Sequence, residues 1–323
     1  MSERHDSIIG DSQGIREARS AVERFATYPT PVVLYGETGT GKELFARLLH
    51  LLSPRNNGRF VAVNCASIPE TLIESELFGY ERGAFTGAEQ RRIGLWESAN
   101  RGALFLDEVG DLSSLAQTKV LRTLQERLIR RVGGTEDIPV DARIIAATHV
   151  NLSEGVKAGT FRKDLYYRLH ILHVTIPPLR ERRDDILLIL DYLIRKLCED
   201  WNLGRPPSVS QGAKNKLLVY PWPGNVRELE NVATRTLSMS PGARELRADD
   251  FQLLESEMAI PPDVLPIFVA KGTLHHMRMQ AEAAMVRWAL AESDENQTIA
   301  AQRLGVHRNT LIEKMRGFRT EGY

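Results

Sequence analysis

The stretch Gly36-Glu37-Thr38-Gly39-Thr40-Gly41-Lys42 constrains this chain more than any other. It follows a short apolar run, Val32-Val33-Leu34-Tyr35, and opens a segment of helical spacing from Glu43 to Leu52. Strand, glycine-rich turn and helix, in that order, form the context that a P-loop requires. The glycines let backbone N–H groups turn inward onto phosphate oxygens, and the helix N-terminus adds partial positive charge. Lys42 would then reach the β- and γ-phosphates of a nucleotide. The residue after the lysine is Glu43, where a magnesium-ligating Ser or Thr is usual.

Further short apolar runs at Phe60 to Cys65, Ala103 to Leu106 and Arg143 to Thr148 read as buried strands, and Leu115 to Leu128 reads as a helix. Strand–helix alternation predicts an α/β fold, a parallel sheet covered by helices on both faces. The run Ala103-Leu104-Phe105-Leu106 ends in Asp107-Glu108, 65 residues after Lys42. Asp107 is placed to hold magnesium, directly or through water, and Glu108 to orient and polarise an attacking water. A second acid implies hydrolysis of ATP rather than binding alone. At the end of another strand, Thr148 either bonds the γ-phosphate or its water, or is a solvated strand end.

After Pro177-Pro178 the pattern becomes helical, at 184–200, 210–219 and 225–238, punctuated by "RPPS" and "PWPG". The expected division is an α/β nucleotide-binding part over 1–175, a small helical lid over 176–240, an irregular linker over 241–271 and a helical C-terminal domain over 272–323. The longest apolar runs are too short to cross a bilayer and the first residues, "MSERHDSIIG", carry no secretory signal. Cys65 and Cys198 are the only cysteines and have no paired spacing, which fits a reducing cytoplasm and no membrane. Lys+Arg and Asp+Glu both number 42, so any nucleic-acid surface is local.

That local surface falls at the C-terminus. Ala281, Ala284, Met285, Trp288 and Ala289 recur at helical spacing. Asn296 to Leu304, a turn at Gly305 and a second helix from His307 then make a helix-turn-helix reading. Between 303 and 319 five basic residues (Arg303, Arg308, Lys314, Arg316, Arg319) face one acid, Glu313. His307, Arg308, Asn309 and Thr310 open the second helix, where base edges of double-stranded DNA are met. Lys314 and Arg316 fall where phosphates are met. A different stretch has no phosphate to bind: Glu81-Arg82-Gly83-Ala84-Phe85-Thr86-Gly87-Ala88 sets Phe85 and Thr86 between glycines, as a mobile contact tip would.

With "GETGTGKE", "ESELFGYERGAFTGA", "GALFLDEV", "FRKDLYYRL", "PPLRERRDDI" and "PWPGNVRELEN" in one chain, the sequence resembles the AAA+ activators of sigma-54 RNA polymerase, the bacterial enhancer-binding proteins, from Ile8 to Phe318. The resemblance implies an AAA+ ring, a hexamer when active. ATP hydrolysis in it remodels the closed complex so that the promoter opens. It makes Glu43 ordinary and gives Gly83 to Ala88 as the sigma-54 contact. It implies that Asn64 holds Glu108 off the water, that Arg162 and Arg168 reach a neighbouring subunit's ATP, and that Arg227 on the lid senses the phosphate state. Glu81 and Arg82 would couple the tip to the ATP site, helped by the Gly-rich loop Arg131 to Asp137. His149 departs from the family, which commonly has asparagine there. The C-terminal segment resembles the Fis-type domain that binds enhancer DNA as a dimer. Since the pattern starts near Ile8, regulation by a separate protein or by expression level is expected. Other AAA+ machines lack both tip and helix-turn-helix, and a regulator using nucleotide only to set its oligomeric state would have a degraded tip.

Overall fold

The structure is a computed structural model describing residues 8–253, 282–283, 285–287, 289–290, 296–304, 306 and 308–320. It divides into two compact units, Met1–Gln252 and Leu253–Tyr323.

In the first unit five strands make one parallel sheet: β1 (Val32–Tyr35), β2 (Phe60–Asn64), β3 (Ala103–Asp107), β4 (Arg143–Thr148) and β5 (Leu172–Thr175), in the order β2-β3-β4-β1-β5. The predicted strands are all present, and β5 is an addition. Its sequence, Leu-His-Val-Thr, buries only Val174 fully, so an apolar run does not betray it.

Alternate residues serve the two faces, as strand geometry demands. Val33, Leu104, Leu106, Ile144 and Ala146 meet Leu77, Trp96, Val120 and Leu165 on one side. Val32, Leu34, Phe105, Ile145 and Ala147 meet Ile15, Val22, Phe45 and Leu49 on the other. The helices supplying these contacts include α1 (Gln13–Ala26), α2 (Lys42–Leu51), α3 (Glu70–Phe78), α4 (Ser114–Glu126) and α5 (Lys163–Leu169). The buried Arg143 side chain on β4 donates to the carbonyls of Phe25 and Ala26, both at 2.7 Å, so the sheet itself caps the C-terminus of α1. Burial pushes the Arg143 pKa down to about 10.

The lid is built from α6 (Arg183–Asp200), α7 (Gln211–Val219) and α8 (Asn225–Met239). It continues past residue 240, which corrects the expected linker boundary. Glu245–Leu246 pairs in parallel with Ser208–Val209, and Leu246 and Phe251 are fully buried. The Lys216 ammonium donates to the carbonyls of Ala248 and Phe251, which closes this segment onto α7. Residues 254–271 of the expected linker lie outside the described residues.

In the second unit the helices Gln297–Arg303 and Arg308–Thr320 meet through Ala300, Ala301 and Leu311, joined by Ala283, Val286, Ala289 and Leu290. The small alanines allow close approach of the helices. Ala289, expected on the apolar stripe, is buried and Met285 is exposed; Ala283, Val286 and Leu290 complete the stripe instead. Ala281, Ala284, Trp288 and Gly305 lie outside the described residues. Among the described residues no helix is long and apolar enough to cross a membrane.

Candidate nucleotide site and tip loop

Three strand ends converge on the phosphate loop. β1 delivers Gly36, whose N–H donates to the Thr148 carbonyl at the end of β4. Gly39 has φ +80°, and a Cβ there would lie 2.2 Å from the Gly224 carbonyl oxygen, so this position excludes a side chain twice over. The Lys42 ammonium, at the start of α2 and nearly buried, sits 2.9 Å from the Gly36 carbonyl and 3.2 Å from Glu108 Oε1. Thr40 donates to the Glu37 carbonyl, and Glu43 pairs with Arg47 one turn on.

Glu108 follows β3 with φ +51°. Its second oxygen, Oε2, accepts from the His149 backbone N–H at 3.1 Å and meets His149 Nδ1 at 2.7 Å. An ionised carboxylate only accepts, so Nδ1 carries the hydrogen. Burial acts to raise the Glu108 pKa, but the His149 hydrogen bond and the Lys42 charge outweigh it and hold the carboxyl below its ordinary range. Asp107 beside it goes the other way, raised by burial and by the Glu108 charge. Asn64, expected to hold Glu108, has its hydrogen bonds elsewhere in this structure. Asn64 Nδ2 lies 3.4 Å from Asp107, and its Oδ1 accepts from the N–H groups of Ala66 and Ser67. The geometric reason is register: β2 pairs Asn64 with Asp107, leaving Glu108 one residue beyond it.

The fully buried Thr148 spends its hydroxyl oxygen on the Val150 N–H, at 3.1 Å. Arg162 forks onto Asp164 and Arg168 donates to the Leu124 carbonyl at the end of α4. With Lys163 and the exposed Tyr167, Arg162 lines a shallow surface depression.

The lid grips the phosphate loop through residues that the sequence reading passed over. Asn225, fully buried with φ +54°, accepts from the Leu179 N–H at 2.7 Å and donates to the Thr38 carbonyl at 3.0 Å and to Glu37 Oε2 at 3.2 Å. Arg180 forks onto Glu37 at 2.6 and 2.7 Å. Arg182 donates to the Thr40 carbonyl. Arg227 is exposed, and its backbone N–H donates to the Gly39 carbonyl.

The tip loop rises from a short antiparallel pair, Gly79–Tyr80 with Arg92–Ile93. The Gly83 N–H closes it onto the Ala88 carbonyl at 2.8 Å. Gly83 and Gly87 have φ +81° and +97° with open space where a Cβ would stand, so only backbone conformation calls for glycine. Phe85 is exposed and lies edge-on to Tyr80, ring centroids 5.0 Å apart; Thr86 is exposed and Ala88 buried. Arg131, its side chain 4% exposed, forks onto Glu97 and reaches Glu81 at 2.6 Å. Glu81 is therefore tied to the second loop, while Arg82 is exposed.

Residues 8–175, which carry all of these strand ends and the tip, match the Sigma-54 interaction domain. The chain belongs to the sigma-54 activator family. As a sigma-54 activator it is an AAA+ ATPase and a sigma-54-dependent transcription activator. Residues 180–259 match the AAA+ ATPase lid domain, in accord with a lid that runs past residue 240, and residues 278–318 match the bacterial regulatory protein, Fis family. The transcriptional regulatory protein ZraR of Salmonella typhimurium is 41% identical over 95% of this chain and 68% of its own. The hydrogenase transcriptional regulatory protein HoxA of Cupriavidus necator is 45% identical over 92% of this chain and 62% of its own. NtrX from Brucella abortus in complex with ADP superposes with a TM-score of 0.72 at 32% identity, covering 96% of this chain and 68% of its own.

In the activator's Fis-type unit, Arg308, Asn309 and Thr310 open the second helix and are exposed. His307 lies outside the described residues, as do the side chains of Arg303 and Arg316. Lys314, expected to meet phosphate, is paired within the unit with Glu282, an acid 32 residues earlier in the chain that the folding of the unit brings beside it.

Proposed function

We propose that this activator hydrolyses ATP between Lys42 and Glu108 and delivers the energy through the Phe85–Thr86 tip to sigma-54 in the closed polymerase complex. The observation that carries the reading is the 3.2 Å contact of Lys42 with Glu108 at the strand ends. Lys42 takes phosphate charge, the loop N–H groups from Gly36 to Gly41 cradle the phosphates, and Glu108 accepts a proton from the attacking water. Asp107, desolvated and next to a second carboxylate, suits a hard divalent cation held by few protein oxygens. With the nucleotide phosphates it would hold magnesium, which neutralises charge on them.

Arg162 and Arg168 act on a neighbouring subunit's ATP in a homo-oligomeric ring, a hexamer when active, and Arg227 reports the phosphate state to the lid. Arg303, His307, Arg308, Asn309, Thr310, Lys314 and Arg316 form the enhancer-DNA face, with Lys314 exchanging Glu282 for phosphate on binding. The protein works in the cytoplasm.

Two variants test this. Thr86→Ala keeps ATP turnover and loses promoter opening, whereas equal loss of both would mean that the tip serves folding. Glu108→Ala retains ATP binding and loses turnover and activation. Activation undiminished without turnover would favour a regulator that uses nucleotide only to set its oligomeric state.

A further inference from the structure

The geometry points to His149 as the positioning residue that holds Glu108 in register with the phosphate site. Glu108 is the carboxylate on which the proposed hydrolysis rests, and the inference depends on that reading. Its two oxygens are divided between two elements. Oε1 faces Lys42, the side from which a γ-phosphate is met, and Oε2 is fixed by two donors of one residue, the backbone N–H and ring Nδ1 of His149.

The anchoring is needed locally. Glu108 stands at φ +51° just past the sheet, where no ladder hydrogen bond restrains it. Its side chain is 12% exposed, and the desolvated carboxylate gains most from a charge-assisted donor. When a nucleotide takes Lys42 away, Oε1 is released towards water while Oε2 stays tethered to β4. Asn64, spent on Asp107 and on the turn after β2, does not share the load.

The residue just after β4 thereby sets the orientation of the residue just after β3. His149 touches no phosphate in this scheme; it acts through Glu108. An asparagine at this position retains an N–H donor of shorter reach, whereas alanine leaves only the backbone N–H.

The test uses the full-length protein, with steady-state ATPase and ATP affinity measured separately. Glu108→Ala comes first; persistent turnover there would overturn the hydrolysis reading itself, whatever His149 does. Given loss of turnover in Glu108→Ala, the expected result for His149→Ala is a kcat about 10-fold lower with KM for ATP unchanged, the effect of one lost charge-assisted bond felt in the transition state. His149→Asn recovers most of the rate and His149→Phe, which fills the space without a donor, does not. Wild-type kcat in His149→Ala overturns the inference, and so does a loss that His149→Asn and His149→Phe share equally. A KM change without a kcat change also overturns it, since it would place His149 in binding.

Discussion

Replacing Asn225 asks whether one side chain fastens the lid to the phosphate loop. In Asn225→Ala the buried Leu179 N–H loses its acceptor and the Thr38 carbonyl loses a donor. Each orphaned group costs about 1–3 kcal/mol. Alanine must also adopt φ +54°, a left-handed conformation worth about 1–2 kcal/mol of strain. The sum is about 3–8 kcal/mol. Asn225→Gly removes the strain and keeps the lost bonds, so the difference between the two variants isolates the backbone part. Asn225→Asp preserves the acceptor for Leu179 but turns a donor into a carboxylate facing Glu37 Oε2 across 3.2 Å. It should therefore weaken the fold more at neutral pH than in mild acid. Guanidinium unfolding gives the stability loss from the midpoint at constant slope, and a fluorescent ADP analogue gives the affinity. If Asn225→Ala lost less than about 1 kcal/mol and kept wild-type ADP affinity, the fastening would be elsewhere.

Arg131→Ala strands two carboxylates, one of them on the nearly buried Glu97, and should cost about 3–5 kcal/mol in denaturant unfolding. Arg131→Met with Glu97→Met should recover part of it, because no charge is left unpaired. The Arg180 hydrogen bonds, against an opposing effect of burial and with help from Asn225, hold the Glu37 carboxyl below its ordinary range. Its folded pKa is depressed, so its stabilisation is present above the usual carboxylate value and fades as pH falls through the lowered one. Glu37→Gln should flatten the acid side of the melting-temperature profile, and an unchanged slope would refute this. Leu311→Ala removes the fully buried side chain of the Fis-type helix at about 2–5 kcal/mol. Footprinting should show enhancer binding lost while ATP turnover at high protein concentration survives.

What the sequence discloses and what it hides divide along physical lines. The phosphate loop, the acid pair at the end of β3 and the tip are local strings whose backbone geometry follows from residue order, and all are where the strings place them. Strand β5 was hidden because an edge strand with one buried residue carries no apolar run. The lid's last segment was hidden because only Leu246 and Phe251 anchor an otherwise polar stretch. A lone aromatic in "RADDFQL" is the signal that could have found it. Asn225 and Arg180 stand inside motifs that matched the family, yet their partners lie 188 and 143 residues away. The tether of Glu108 depends on the ends of β3 and β4 lying side by side, which spacing along the chain does not encode. His149 was visible only as a departure, and its partner only in three dimensions.

The grip of Asn225 and Arg180 on Glu37 and Thr38 makes lid order and nucleotide affinity two readings of a single equilibrium. By reciprocity, whatever free energy ATP contributes to stiffening the lid, a protein or subunit that stiffens the lid must return as tighter ATP binding. A protein that bound the lid would thus have no need to approach the phosphates to change ATP affinity. Pressing on the back of α8 would suffice.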